Sequence, residues 1–267
     1  MKLNLNKAGT GLTWVRLGVK TFFRQPLAMS GLFFMFMATA SVLSLIPLLG
    51  TAVSVALVPA ATLGLMAATR EAQQGRFPMP ASLVTAFRGG SERTRAMLML
   101  GGFYAAALLL VLGASALFAA GPATVAPETA EVTPEMVREA FNRPGLWVAM
   151  LLYLPVLMAF WHAPALVYWH GVSPGKSLFF SLIACWGNKA ALFFFTLGWT
   201  AVFMGMGLFL GLVGALLGGA QALNLILYPV VLFMASMFHT SIWFTFVDSF
   251  TFDEAVVIDP PTNGDTA

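Results

Sequence analysis

Residues 190–247 read AALFFFTLGWTAVFMGMGLFLGLVGALLGGAQALNLILYPVVLFMASMFHTSIWFTFV. These 58 residues hold no Asp, Glu, Lys or Arg. A helix needs about 20 apolar residues to cross the roughly 30 Å hydrocarbon core of a bilayer. One helix cannot use so long a run. It breaks near Gly218-Gly219, with polar Gln221 and Asn224 just beyond, and predicts two membrane spans.

Three more uncharged runs lie upstream, at 26–69, 96–127 and 144–175. The first has 44 residues and breaks at Pro47-Leu48-Leu49-Gly50, giving two spans. The other two have 32 residues each, end in Gly/Pro clusters, and give one span apiece. The expected fold is all-α, an integral membrane bundle of six transmembrane helices near 26–49, 51–69, 96–120, 146–169, 190–217 and 220–247. Residues 1–250 form one membrane domain in this reading, and 251–267 a short acidic flexible tail.

Composition agrees. Of 267 residues, 59% are hydrophobic and 9% charged, and mean hydropathy is +0.84. A soluble domain carries about a quarter charged residues, so an ordinary cytosolic enzyme, a disordered chain and a soluble nucleic-acid binder are excluded. The lone cysteine, Cys185, rules out an intrachain disulfide. The net charge of +3 hides a split: residues 1–95 hold ten basic and two acidic residues, and 96–267 hold four basic and nine acidic.

Lys and Arg collect on the cytoplasmic side of membrane proteins. The N-terminal segment and the loops after spans 2 and 4 hold twelve of the fourteen basic residues; only Arg138 and Arg143 fall opposite. Both termini are therefore expected in the cytoplasm of a bacterial inner membrane. Ala38-Thr39-Ala40 has the small-x-small form of a signal-peptidase site. The long basic region before it and the apolar run beyond it favour a signal-anchor span.

A weak pattern recurs three times, a short helical segment before each pair of spans. The first, at 12–24, repeats Arg16, Lys20 and Arg24 at four-residue intervals, a basic interfacial face suited to anionic lipid. The second is 80–88 and the third 174–186; both open with Pro, which suits a first helical turn. The even spans share prolines at similar depth, Pro59, Pro155 and Pro229, and Pro164 follows in span 4. Proline kinks a helix interior, so these residues could surround a common cavity or simply reflect the frequency of Pro in spanning helices.

Ionisable groups inside a bilayer are costly and are functional candidates by default. Here they are His162 in span 4, His239 in span 6 and Asp248 at its end. A proton or metal role needs them to meet; the alternative is a neutral imidazole bonded to a backbone carbonyl. No metal or other cofactor is expected. Trp161, Trp169, Trp186, Trp199 and Trp243 suit interfacial anchoring and packing, with ligand stacking as the rarer use. Gly207, Gly211, Gly214 and Gly218 form a small-residue face on span 5, for packing within the chain or for a dimer seam. A phosphate-binding loop, a nucleophile elbow and a His-Glu-x-x-His motif are all absent from the sequence.

The run Trp161-His162-Ala163-Pro164-Ala165-Leu166-Val167, followed by Ser177, Ser181, Cys185 and Asn188, resembles an uncharacterised family of proteobacterial six-span inner-membrane proteins. Trp14, the run Phe22-Phe23-Arg24-Gln25-Pro26 and the Pro59 span are similar too. More distantly, the layout is similar to the membrane domain attached to some glycerophosphodiester phosphodiesterases, whose catalytic barrel this sequence lacks. The resemblance implies an all-helical membrane fold and no established activity. The expected function is a non-enzymatic membrane component or envelope-homeostasis factor. The alternatives are a transporter or lipid-handling protein with a cavity near the prolines, and an enzyme using His162 and His239. The expected partners are membrane lipids and a second copy or another membrane protein, with no nucleic acid.

Overall fold

The computed structural model describes residues 2–47, 49–118, 134–216 and 220–251. Six helices among them are long and apolar enough to cross a membrane: Pro26–Ser44, Leu49–Gln73, Ser91–Leu117, Pro144–His170, Lys189–Leu216 and Ile226–Ser249. They match the expected six, with ends moved by a few residues. Gly218 and residues 252–267, the expected tail, lie outside the described residues.

In chain order the elements are β1 (Lys2–Leu3), α1 (Thr10–Phe22), α2 (Pro26–Ser44), α3 (Leu49–Gln73), a 3₁₀ helix (Pro80–Phe87), α4 (Ser91–Leu117) and α5 (Pro134–Asn142). Then follow α6 (Pro144–Trp161), α7 (Ala163–His170), α8 (Pro174–Gly187), α9 (Lys189–Leu216), α10 (Ala220–Ser249) and β2 (Phe250–Thr251). A short helix precedes each pair of spans, in the order the sequence suggested. The second is a 3₁₀ turn.

Spans α3 and α10 form the centre. Over half of the most apolar window in each is buried, against under a quarter in the other four spans. α3 packs on α2, α4 and α10, while α10 packs on α1, α2, α3 and α9. Helix α1 does not float on the surface. It docks into the bundle against α9 and α10 through Trp14, Val15, Gly18 and Phe22, all buried. Arg16, Lys20 and Arg24 stay exposed on its other side.

The close approaches use glycines, as membrane helices do because small residues let backbones come near. A Cβ on Gly11 would run into the Ala191 carbonyl oxygen of α9; one on Gly18 would run into Ser241 of α10. The glycine face expected on span 5 plays no such part at two of its positions. Gly207 and Gly211 are exposed, and a Cβ there would meet nothing. Among the described members of that set, only Gly214 is buried.

Span 4 departs from the expected continuous helix. It breaks at His162, between α6 and α7. Pro164 has no N–H to continue the ladder and crowds the preceding turn. The His162 N–H, which would reach the Met158 carbonyl in an unbroken helix, donates instead to Ser181 Oγ of α8 at 2.9 Å. That hydroxyl donates in turn to the Met158 carbonyl at 2.7 Å. One side chain thus sits inside the helix ladder, a recognised cause of a sharp kink. Gly171 then ends α7 in the left-handed conformation, φ 62°.

Both described chain ends meet on one side. β1 pairs antiparallel with β2, Lys2 opposite Thr251. An even number of crossings is required for this closure, and six satisfies it.

Candidate functional site

Beneath that closure, α10 presents Ser241, Thr245 and Asp248 at offsets of four and three residues, so all lie on one helical face. Three indole N–H groups from three other helices converge on this strip. Trp199 of α9 donates to Ser241 Oγ at 3.1 Å, Trp161 of α6 to Thr245 Oγ1 at 2.9 Å, and Trp14 of α1 to Asp248 Oδ2 at 2.7 Å. A buried indole needs an acceptor. The strip supplies one to each and ties three helices to the central span.

Asparagines close the end of the bundle. Asn188, 2% exposed, accepts from the Asn6 N–H at 2.7 Å and donates to the Asn4 carbonyl at 3.0 Å. Asn4 and Asn6 both donate to the Asp248 carbonyl. The N-terminal segment, the end of α8 and the end of α10 are thereby joined.

The candidate residues separate. His239 Nδ1 lies 3.0 Å from the Ala235 carbonyl, the neutral structural arrangement, with Phe33 beside its ring. His162 is 1% exposed and packs against Phe246 and Phe250. Phe246 is seven residues beyond His239 on α10, about 10 Å along the axis. The two histidines therefore do not share a site. Asp248 serves Trp14. Among the described residues no three His, Cys, Asp or Glu side chains group as metal ligands would.

The prolines separate too. Pro155 and Pro229 lie on exposed faces, and Pro164 is buried at the start of α7. Pro59 lines a cavity of about 240 Å³, with Thr62, Tyr104, Tyr153, Phe160 and His239. Tyr104 is within hydrogen-bonding reach of Tyr153 there. This is an apolar pocket with a few polar atoms, between α3, α4, α6 and α10, and it unites one expected proline with one expected histidine.

Cys185 of α8 is buried beside Met158, its thiol 3.5 Å from that carbonyl. Burial pushes the thiol up to about 12 from an ordinary 9.0. It is a packing residue.

Reading from single positions missed Ser241, Thr245, Asn4 and Asn6. The hydroxyl spacing on the last span was the available signal for two of them. Asn188 and Trp14 were visible only through the family resemblance.

Fold and interior together define a multipass helical membrane protein. The chain is 32% identical, over 99% of its length and 100% of the other's, to a protein of Burkholderia thailandensis named as a probable inner membrane protein. It belongs to that protein's family. No family model matches the chain. No solved structure matches it. The relative's name carries no mention of a phosphodiesterase.

Proposed function

We propose that this protein is a non-enzymatic structural component of the inner membrane, with both termini in the cytoplasm and a role in envelope homeostasis. The carrying observation is how the polar side chains of the spans are used. Asp248, Thr245 and Ser241 accept from tryptophans, and His239 is bonded within its own helix. These groups are committed to bonds that hold the bundle together; of the candidates, the buried His162 Nδ1 has no hydrogen-bond partner among the described residues. The cytoplasmic assignment follows the twelve-to-two distribution of basic residues.

Two experiments test this reading. A His162→Gln/His239→Gln variant should complement a deletion strain under envelope stress as well as wild type; loss of complementation with normal protein level would count for catalysis. A periplasm-active reporter fused after Ala267 should be silent, and a signal there would reverse the orientation.

A second reading, a lipid-handling protein, draws on the cavity at Pro59 and His239. A bulky residue at Thr62, such as Thr62→Trp, would fill it. Under the structural reading that variant complements fully; under the lipid-handling reading it fails.

A further inference from the structure

A larger depression lies elsewhere, on the outer surface between α6 and α9. Its volume is about 350 Å³. α6 packs on α4 and α8, and α9 on α1 and α10, so the two spans leave a gap that α8 closes at one end. The floor is Trp161, Cys185 and Phe195; the sides are Leu157 and Phe193. The single charged residue in its lining is Lys189, the first residue of α9.

Polarity is graded along the groove. α6 ends and α9 begins on the same side of the bundle, so depth increases from Trp161 to Leu154 on one wall and from Lys189 to Thr196 on the other. Seven residues of helix span about 10 Å. The deep end is apolar, because the Thr196 hydroxyl is already donated to the Leu192 carbonyl. At the mouth, the Lys189 ammonium lies 5.0 Å from the centre of the Trp186 ring. Trp186 is 65% exposed, an indole placed as interfacial tryptophans are. No described carboxylate pairs with Lys189. The positive end of the α9 dipole adds to its field.

We infer that this groove binds one glycerophospholipid, with an acyl chain between α6 and α9 and the phosphate at Lys189. A cation at the interface and an apolar channel running inward from it match that molecule's own order of charge and chain. The inference stands apart from the proposed structural role, since a lipid could occupy the groove whatever the bundle does.

The test uses the full chain in mild detergent, titrated with phosphatidylglycerol and followed by native mass spectrometry. One lipid should bind preferentially. A diacylglycerol with the same chains should bind about five-fold more weakly, the worth of one phosphate–lysine contact at the interface. Lys189→Gln should weaken phosphatidylglycerol by the same factor. Lys176→Gln, at the other end of α8, should change nothing. Thr196→Trp, a substitution at an exposed position, should fill the groove and abolish preferential binding. Equal binding of the two lipids, or unchanged binding in both Lys189→Gln and Thr196→Trp, would overturn the assignment. So would a dimer that Thr196→Trp disrupts while lipid binding persists, because a second copy would then be the occupant.

Discussion

Near the chain ends, α1, α7 and α8 bury Trp14, Phe22, Leu166 and Cys185, and side-chain bonds link five separate helices. At the opposite ends of the same spans the exposures are Leu45 79%, Leu110 74%, Leu151 73% and Leu208 74%. The difference follows from the solvent. In a bilayer, lipid tails are as apolar as leucine, so burying leucine against leucine gains little; close packing and hydrogen bonds hold helices together. This chain places both at one end and leaves the other to lipid. Substitutions should therefore divide by end rather than by hydrophobicity.

Among substitutions at the tied end, the largest effect is expected where backbones touch. Gly18→Leu sets a side chain against Ser241, whose backbone cannot retreat without moving α10. Overpacking of this kind costs about 3 kcal/mol. Thermal unfolding in detergent should show a clear loss, and an unchanged midpoint would mean that α1 does not dock as described. Asn188→Leu comes next, at about 2–3 kcal/mol, because the Asn6 N–H and the Asn4 carbonyl lose their partner. Asn188→Asp should recover part of the loss, since it still accepts from Asn6.

The two ends also differ in how far the sequence foretold them. The six spans were legible because a crossing demands uncharged length, a local property of 20 consecutive residues. The clasp was not, because Asn4 and Asn188 are separated by 184 residues. The small-residue spacing on α9 did not by itself tell packing within the chain from a face left open, for a related reason. Spacing shows that a face is smooth, and says nothing of whether a helix lies against it; Gly207 and Gly211 face outward. At Pro164 the sequence indicated a perturbed helix. That Ser181 would enter the ladder, and that the break would fall at His162, depended on α8 folding back onto α6.

That break offers the next prediction. Ser181→Ala removes a hydroxyl that both accepts and donates, orphaning the His162 N–H and leaving the Met158 carbonyl only the weak Cys185 thiol donor. The expected loss is about 1–2 kcal/mol. Ser181→Thr keeps the hydroxyl and should lie between the variant and wild type.

Cys185, one turn further along α8, reports the same packing by its chemistry. The thiolate is the reactive form, and with the thiol pushed up to about 12 almost none exists at pH 8. Maleimide should label the folded protein slowly and the unfolded protein fast. The unfolded thiol ionises near 9.0 while the folded one holds its proton to about 12. Between these values the unfolded state binds fewer protons, so this group lowers stability as pH rises through that window. Rapid labelling of folded protein at pH 8 would show that α8 does not pack Cys185 against α6.

The smallest effect is the sharpest check on the contrast between the ends. Leu208 is 74% exposed in the far half of α9, whereas Leu63 of α3 is 0% exposed. The sequence treats them alike, as leucines within spans. Leu63→Ala opens a cavity among protein atoms that relax only in part, and such changes cost about 2–5 kcal/mol. At Leu208 the space vacated by the side chain is open to acyl chains, which are fluid and fill it. Leu208→Ala should stay within about 0.5 kcal/mol of wild type. A loss at Leu208 approaching that at Leu63 would mean that another protein surface, a second copy or a partner, covers the far half of α9.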